Sequence, residues 1–473
     1  MSTAAVVGSG PNGLAAAIRL AQAGLEVTVV EAHDRPGGGT RTSELTVPGL
    51  LHDDCAAFHP TGVASPYFAS LNLERHGLRW LYPEVDLAHP LDDGRAGLAG
   101  RDPALTSSLG VDAKSWRRLF GAAVRNFDDL ISEVFQPVAH LPRHPITLGK
   151  FGMRGLLPAT TTVRRFDDEP AKALFMGVAA HSFDRLDRPL GSSVGMMLTA
   201  AAHAVGWPVA EGGSEAITRA LLAELSELGG KVVTGTRVTS LGQLGDLIGG
   251  RPDVVMLDTA PTGVLEIVGE ALPGHVRRGL TRYAYGPAAF KVDFAIQGDI
   301  PWTNDDCRRA GTLHLGGSAA QIAANEAATV RGRMAEQPFV LLGQQYLIDP
   351  VRSTADANPI YAYAHVPHGY TGDATDAIIG QIERFAPRFR DQIVAISTRN
   401  PAELEAYNPN YVGGDIGAGA NTMRQIVLRP RLAANPYKLG VPGVYLCSSA
   451  TPPGAGVHGM GGFHAAETAL RCL

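Results

Sequence analysis

The sequence predicts an α/β protein in which a dinucleotide-binding domain is assembled from separated stretches of chain, with a second, α+β domain interleaved between them. Three observations predict it. A strand–glycine loop–helix–strand unit opens the sequence. A glycine-flanked helix and strand return near residue 230. A second glycine-rich segment precedes the last helical stretch.

Ala4–Val7 reads as a short buried strand, and Gly8-Ser9-Gly10-Pro11-Asn12-Gly13 follows as a G-x-G-x-x-G. Leu14–Ala23 is rich in Ala and Leu and free of Gly and Pro, which suits a helix, and Gly24 ends it. Val27–Val30 is a β-branched strand closed by Glu31, 18 residues after Gly13. Each part has a task in a Rossmann unit. Gly8 permits the tight turn, Gly10 lets backbone approach a pyrophosphate, and Gly13 lets helix and strand pack closely. The helix start offers N–H groups and a positive dipole to the phosphates. Glu31 is placed to accept from the ribose hydroxyls, with Ala32 beside it. Directly afterwards comes Arg35-Pro36-Gly37-Gly38-Gly39-Thr40-Arg41-Thr42. A second glycine loop here suits backbone running along an extended FAD, with Gly38, Gly39, Thr40 and Arg41 near phosphate or flavin; an ordinary loop with a solvated arginine is the plainer alternative.

These stretches, with Pro48-Gly49 running to His52-Asp53, resemble the phytoene desaturase-like FAD-dependent oxidoreductases of the amine-oxidase and glutathione-reductase-like flavoprotein superfamily. The resemblance implies a Rossmann-type domain that binds FAD non-covalently, formed by residues 1–60, 210–279 and 429–473, and a substrate-binding domain formed by 61–209 and 280–428. Gly8, Gly10, Pro11, Asn12, Gly13 and Glu31 match the family's first motif. Gly212-Gly213-Ser214, the helix Glu215–Leu228, the strand Lys231–Thr234 and Arg237–Leu241 read as the return to the FAD domain, and the resemblance puts the Val238 backbone on the adenine. The strand Asp253–Asp258 leads into Thr259 and Ala260. Only Gly242–Pro252 separates these strands, so the family's β-meander looks trimmed. At the other end, Val444–Cys447 is a short strand, followed by Ser448 to Gly462 and the helical His464–Leu470. The resemblance implies contacts from Ser449, Ala450, His458, Gly459 and Met460, with the helix start aimed at the flavin pyrimidine edge, where reduced flavin carries negative charge. Ser448 stands where the family commonly has glycine. Gly454–Gly459 also fits G-x-G-x-x-G, but no second nucleotide unit follows it.

The intervening blocks carry a helical stretch at Ala113–Phe135 and strand-like runs at Ala289–Ile296, Phe339–Leu342 and Ile360–His365. Lys291 sits among apolar neighbours, where a lysine is costly unless paired. By its position after Tyr285-Gly286 it matches the strand lysine that amine oxidases hold near flavin N5. The plainer reading is an ion pair with a carboxylate. His458 reads as a hydrogen-bonding group or base beside the flavin, or as a satisfied structural histidine. Tyr411, in Tyr411-Val412-Gly413-Gly414-Asp415, and His59 are candidates for the same cavity, and Tyr361 and Tyr363 are candidate walls. His365-Val366-Pro367-His368 lacks a partner set for a metal, and no metal is expected.

Composition excludes several classes. Of 473 residues, 45% are hydrophobic and 18% charged, which disfavours disorder. The net charge of −5 gives no basic footprint for nucleic acid. Four cysteines, Cys55, Cys307, Cys447 and Cys472, stand too far apart in sequence for a C-x-x-C site and suit a reducing, cytoplasmic setting. No apolar run reaches the roughly 18 residues of a membrane helix, and the Met196–Val205 run reads as a buried helix. A peripheral membrane contact and a homodimer stay open.

The expected activity is hydride transfer from an apolar small-molecule substrate to FAD, as a dehydrogenase or desaturase. The electron acceptor is open among O2, a quinone and a redox partner. A flavin amine oxidase using O2 is the alternative, followed by a flavin-dependent isomerase or a non-catalytic FAD-binding interaction protein.

Overall fold

The computed structural model describes residues 2–473. Two sheets dominate it. The first is five-stranded and parallel, in the order Val444–Leu446, Val254–Leu257, Thr3–Val7, Glu26–Val30, Lys231–Val233. Its strands are short, β-branched and almost wholly buried at the centre, because helices cover the sheet. Helix Pro11–Gln22 follows the first strand and helix Met460–Leu470 follows the last. The two pack side by side, and Arg19 Nε lies 2.6 Å from Glu467 Oε1. Helix Glu215–Glu227 packs against Pro11–Gln22 through a shared apolar cluster that includes Leu14, Ile18, Ile217 and Leu221. The strand order reverses between Thr3–Val7 and Val254–Leu257, which is where an open parallel sheet leaves a crevice at its carboxyl edge.

The second sheet has seven strands in the order Ile393–Arg399, Ala288–Ile296, Asn358–Val366, Val340–Gly343, Ala310–Leu315, Val85–Pro90, Ala96–Ala99. Its pairs are antiparallel, except Ala310–Leu315 with Val85–Pro90. Helices Ala113–Arg125, Glu169–Ala180 and Ser193–Ala204 pack together on one side of it. Ser193–Ala204 is the buried helix expected from Met196–Val205. No helix among the described residues is long and apolar enough to cross a membrane.

Four local expectations shift. The helical stretch at 113–135 breaks at Asn126 into Ala113–Arg125 and Phe127–Val134. Residues 237–240 form no strand. Ser240 instead caps a helix, Leu241–Ile248, by accepting from Gln243 N–H, so a helix fills the short connection expected to be a trimmed meander. The last helix begins at Met460, four residues earlier than the sequence suggests, and the first begins at Pro11, since proline is favoured in a first turn.

Candidate dinucleotide and substrate cavity

A cavity of about 1320 Å³ runs from the crevice of the parallel sheet to the face of the second sheet. Residues 8–12, 30–33 and 38–41 border one end of it. Tyr361, Tyr363, Thr312 and Leu341 border it from the second sheet.

The first loop is shaped by close approach. Gly8 has φ +99°, and a Cβ there would come within 2.8 Å of the Asp258 carbonyl oxygen. Gly13 donates its N–H to Asp258 Oδ2 at 2.9 Å, and a Cβ on Gly13 would collide with the Gly8 carbonyl. Asp258 therefore sits beneath the glycine loop, at the end of the strand beside the switch point, and also borders the cavity. Burial pushes its carboxyl up to about 7, against the Gly13 N–H and with the charge of Glu31 adding to the rise. The sequence reading passed over Asp258. The signal available was an acid ending an otherwise apolar parallel strand.

Glu31 borders the cavity but is already engaged. Its Oε2 accepts from Ser9 N–H at 2.9 Å and the Ser9 hydroxyl at 2.5 Å, and its Oε1 accepts from His33 N–H at 2.9 Å. Arg41 Nη2 reaches Oε1 at only 3.5 Å, and Arg41 Nε donates to the Arg35 carbonyl at 2.8 Å. The buried Arg41 Nη1 has no partner among the described residues, and its guanidinium lies 5.2 Å from the centre of the Tyr407 ring. A second buried arginine borders the cavity: Arg429 donates to Ser449 O at 3.2 Å and Asn421 Oδ1 at 3.0 Å, and its Nε is unpartnered. Arg429 too was missed, because nothing local marks Arg429-Pro430. Thr259 Oγ1 is a third orphaned polar atom on this wall. Unpaired guanidinium nitrogens around a glycine loop and a helix start are the donor set that a pyrophosphate needs.

Of the other expected cofactor contacts, Gly10, Pro11, Asn12, Ala32, Gly38, Gly39, Thr40, Val238, Ala260, Ser449 and His458 border the cavity. Gly13, Ala450, Gly459 and Met460 do not. Gly459 and Met460 instead form the start of the last helix, beside Asn12, whose Nδ2 reaches Ser449 Oγ at 3.4 Å.

The three expected catalytic side chains separate. Tyr411 borders the cavity, with its hydroxyl pressed against Gly39 and near Cys55. His458 borders it as a buried group. Burial lowers its imidazole to about 4, its Nδ1 accepts from Met460 N–H at 3.0 Å, and the Phe135 ring lies 4.8 Å away. Lys291 is buried outside the cavity lining and is ion-paired with Asp293 on the same strand face, with its ammonium 4.6 Å from the centre of the Tyr361 ring. Burial raises the Asp293 carboxyl, and Lys291 and His52 together outweigh that to leave it lowered. His59 is also off the lining, bonded to Ser214 Oγ at 2.8 Å. Elsewhere, His76, Glu224 and Glu227 cluster around Arg75, which supplies the positive charge there.

Residues 6–71 match the model of the NAD(P)-binding Rossmann-like domain. The chain is similar to pyridine nucleotide-disulfide oxidoreductase domain-containing protein 2 of Rattus norvegicus, at 24% identity over 99% of this chain and 93% of that protein. Hydroxyneurosporene desaturase of Cereibacter sphaeroides shares 65% identity over 37 residues, 8% of each chain. Among solved structures, an oxidoreductase from Methanosarcina mazei superposes with a TM-score of 0.65 at 15% identity, covering 99% of this chain and 100% of that one. A putrescine oxidase superposes with a TM-score of 0.60 at 18% identity, covering 100% and 98%. These two likenesses show a shared fold.

Proposed function

We propose that the chain is an FAD-dependent oxidoreductase that binds FAD non-covalently and acts as a dehydrogenase or desaturase on a largely apolar organic substrate. The observation that carries this reading is one continuous cavity, bordered at one end by the glycine loops and two arginines that each hold an unpartnered nitrogen, and at the other by apolar and aromatic walls. In it, residues 1–60, 210–279 and 429–473 serve as the FAD-binding domain, and 61–209 with 280–428 as the substrate-binding domain.

FAD, when bound, supplies the hydride acceptor at flavin N5. The chain's own task is to hold the two reactants in register and exclude water. The residue 8–13 loop and the start of helix Pro11–Gln22 would hold the pyrophosphate, with Arg41 Nη1 and Arg429 Nε as donors. A ribose would displace the long Arg41–Glu31 contact, the weakest of those on Glu31. The Val238 backbone would meet the adenine. Phe135, Phe151, Phe183 and Trp207 supply an apolar wall that keeps water from the substrate end. His458, held neutral by its burial, is suited to a hydrogen bond and not to a standing positive charge. The pairing of Lys291 with Asp293 supports a structural role for that lysine and weakens the amine-oxidase alternative. The four cysteines are all free, which supports a reducing, cytoplasmic setting.

The test is the absorbance spectrum of purified protein before and after heat release of the chromophore, with the released flavin identified. FAD freed into solution is the expected result. Colour retained by the precipitate would replace non-covalent binding with a covalent link. Absence of flavin bands after added FAD would overturn the proposal. Rapid reoxidation by O2 with peroxide formed on amine turnover would move the assignment to an amine oxidase.

A further inference from the structure

The substrate end of the cavity contains a histidine pair outside the site residues discussed so far. His181, just after helix Glu169–Ala180, borders the cavity beside Trp207, whose ring lies 5.7 Å away. Its Nε2 is 2.9 Å from Nε2 of His314, which is fully buried on strand Ala310–Leu315. Two imidazoles joined nitrogen to nitrogen require one donor and one acceptor, so the pair is stable when neutral. Burial favours the same state: it lowers His181 to about 3 and His314 well below the ordinary range, with charge on His365 opposing protonation of His181 and charge on His181 opposing protonation of His314. No partner among the described residues engages His181 Nδ1.

The surroundings extend the argument. Thr312 lies two residues before His314, hence on the same strand face, and its buried hydroxyl borders the cavity without a partner. Phe183 adopts φ +49°, a costly conformation for an aromatic residue, and its ring lies 3.8 Å from that of His365. His365 is bonded in turn to Oε1 of the buried Glu326 at 2.9 Å, and Glu326 does not border the cavity. None of the cavity-lining residues between positions 134 and 207 or between 312 and 363 is Asp, Glu, Lys or Arg. The charged lining residues all come from the other segments.

We propose that His181, held by His314 and flanked by the Thr312 hydroxyl, receives one uncharged hydrogen-bonding group, a hydroxyl or carbonyl, of an otherwise apolar substrate. The proposal rests on the cavity being the substrate site of an oxidoreductase, and it narrows the substrate class. A polar group at this end satisfies orphaned atoms, whereas an ammonium or carboxylate meets no charged side chain from these two segments and loses its hydration.

The test uses full-length protein as purified, with 1-decanol, decylammonium and decanoate as probes at neutral pH, read by titration calorimetry. Decanol should bind on the order of tenfold more tightly than either ion, and His181→Phe should remove about that factor from decanol alone. His181→Gln, which keeps a donor and an acceptor, should restore most of it. Equal or tighter binding of either ion, unchanged decanol affinity in His181→Phe, or no binding of any probe overturns the proposal. The three-probe comparison on the unaltered protein needs no variant, so a misfolded variant does not protect it. Flavin content measured on the same samples separates failure of the FAD reading from failure of this one.

Discussion

Arg352 Nη1 lies 2.5 Å from Asp53 Oδ2, and neither residue is exposed. The pair joins distant chain segments. Asp53 also accepts from Ser214 N–H at 2.7 Å, while Arg352 donates to Asp349 at 2.9 Å and to the Ala210 carbonyl at 2.8 Å. The residue 42–53 hairpin, the entry to helix Glu215–Glu227 and the residue 349–352 turn are therefore held by one guanidinium. Arg352→Met leaves Asp53 buried without its countercharge, and the expected loss is about 3–5 kcal/mol. Urea denaturation of Arg352→Met, Asp53→Asn and the double variant checks this. The double variant should lose clearly less than the two single losses added. Burial raises the Asp53 carboxyl, but Arg352 together with the Ser214 N–H more than offsets this and leaves it below its ordinary value. The stability contributed is thus present above about pH 4 and is lost as pH falls through the lower, folded-state value.

Acid should act earlier through the buried histidines. Burial lowers His59, His89 and His458 to about 4, His181 to about 3 and His314 well below its ordinary value. Each binds its proton more readily in the unfolded chain, so stability is complete above about pH 6.5 and declines as pH falls from there. Melting temperatures measured from pH 8 to pH 5 should be level above neutrality and drop below about 6.5. A flat profile down to pH 5 would contradict the neutral, buried state assigned to these rings.

Asp258 should make cofactor affinity pH-dependent. Its carboxylate lies under the loop assigned to the pyrophosphate, and like charges disfavour each other there. Binding should therefore take up a proton, and FAD affinity of apoprotein should fall by up to about tenfold per pH unit above 7. Asp258→Asn should flatten that slope. Fluorescence titration of FAD at pH 6 and pH 8.5 reads both, and equal slopes in the two proteins would remove Asp258 from the account.

Gly39 and Tyr411 should show coupled behaviour. A Cβ on Gly39 would overlap the Tyr411 hydroxyl. Gly39→Ala should cost about 1–3 kcal/mol through overpacking. Tyr411→Phe, which removes the obstructing oxygen, should recover at least half of that loss in the double variant. Thermal melts of the four proteins form the cycle, and strict additivity would place the strain elsewhere.

Much of the parallel sheet and the first glycine loop could be read from sequence because their signals are contiguous. Strand, Gly8, Gly10, Gly13, helix and Glu31 occur within 31 residues, and each has a fixed backbone task. The groups that were not legible are those whose meaning depends on what folds beside them. Asp258 matters because it meets Gly13, 245 positions away. Arg429 matters because its hydrogen-bond partners are neutral, and His181 because His314 comes from a sheet strand 133 positions away. Lys291 illustrates the reverse case. Its apolar strand suggested an unusual lysine, and its partner stood two residues away, on the same face by the alternation of a strand. At residues 237–241, read as a strand returning to the FAD domain, Ser240 as a helix cap decided the local structure.

Helix Pro11–Gln22 lies against helix Met460–Leu470, and strand Val444–Leu446 is only two strands from Thr3–Val7. This arrangement sets a timetable for synthesis. Helix Pro11–Gln22 leaves the ribosome with an apolar face that stays uncovered until some 440 later residues have been made. The nucleotide half of the molecule is consequently the last part to close, and a nascent chain depends throughout on being shielded from its neighbours.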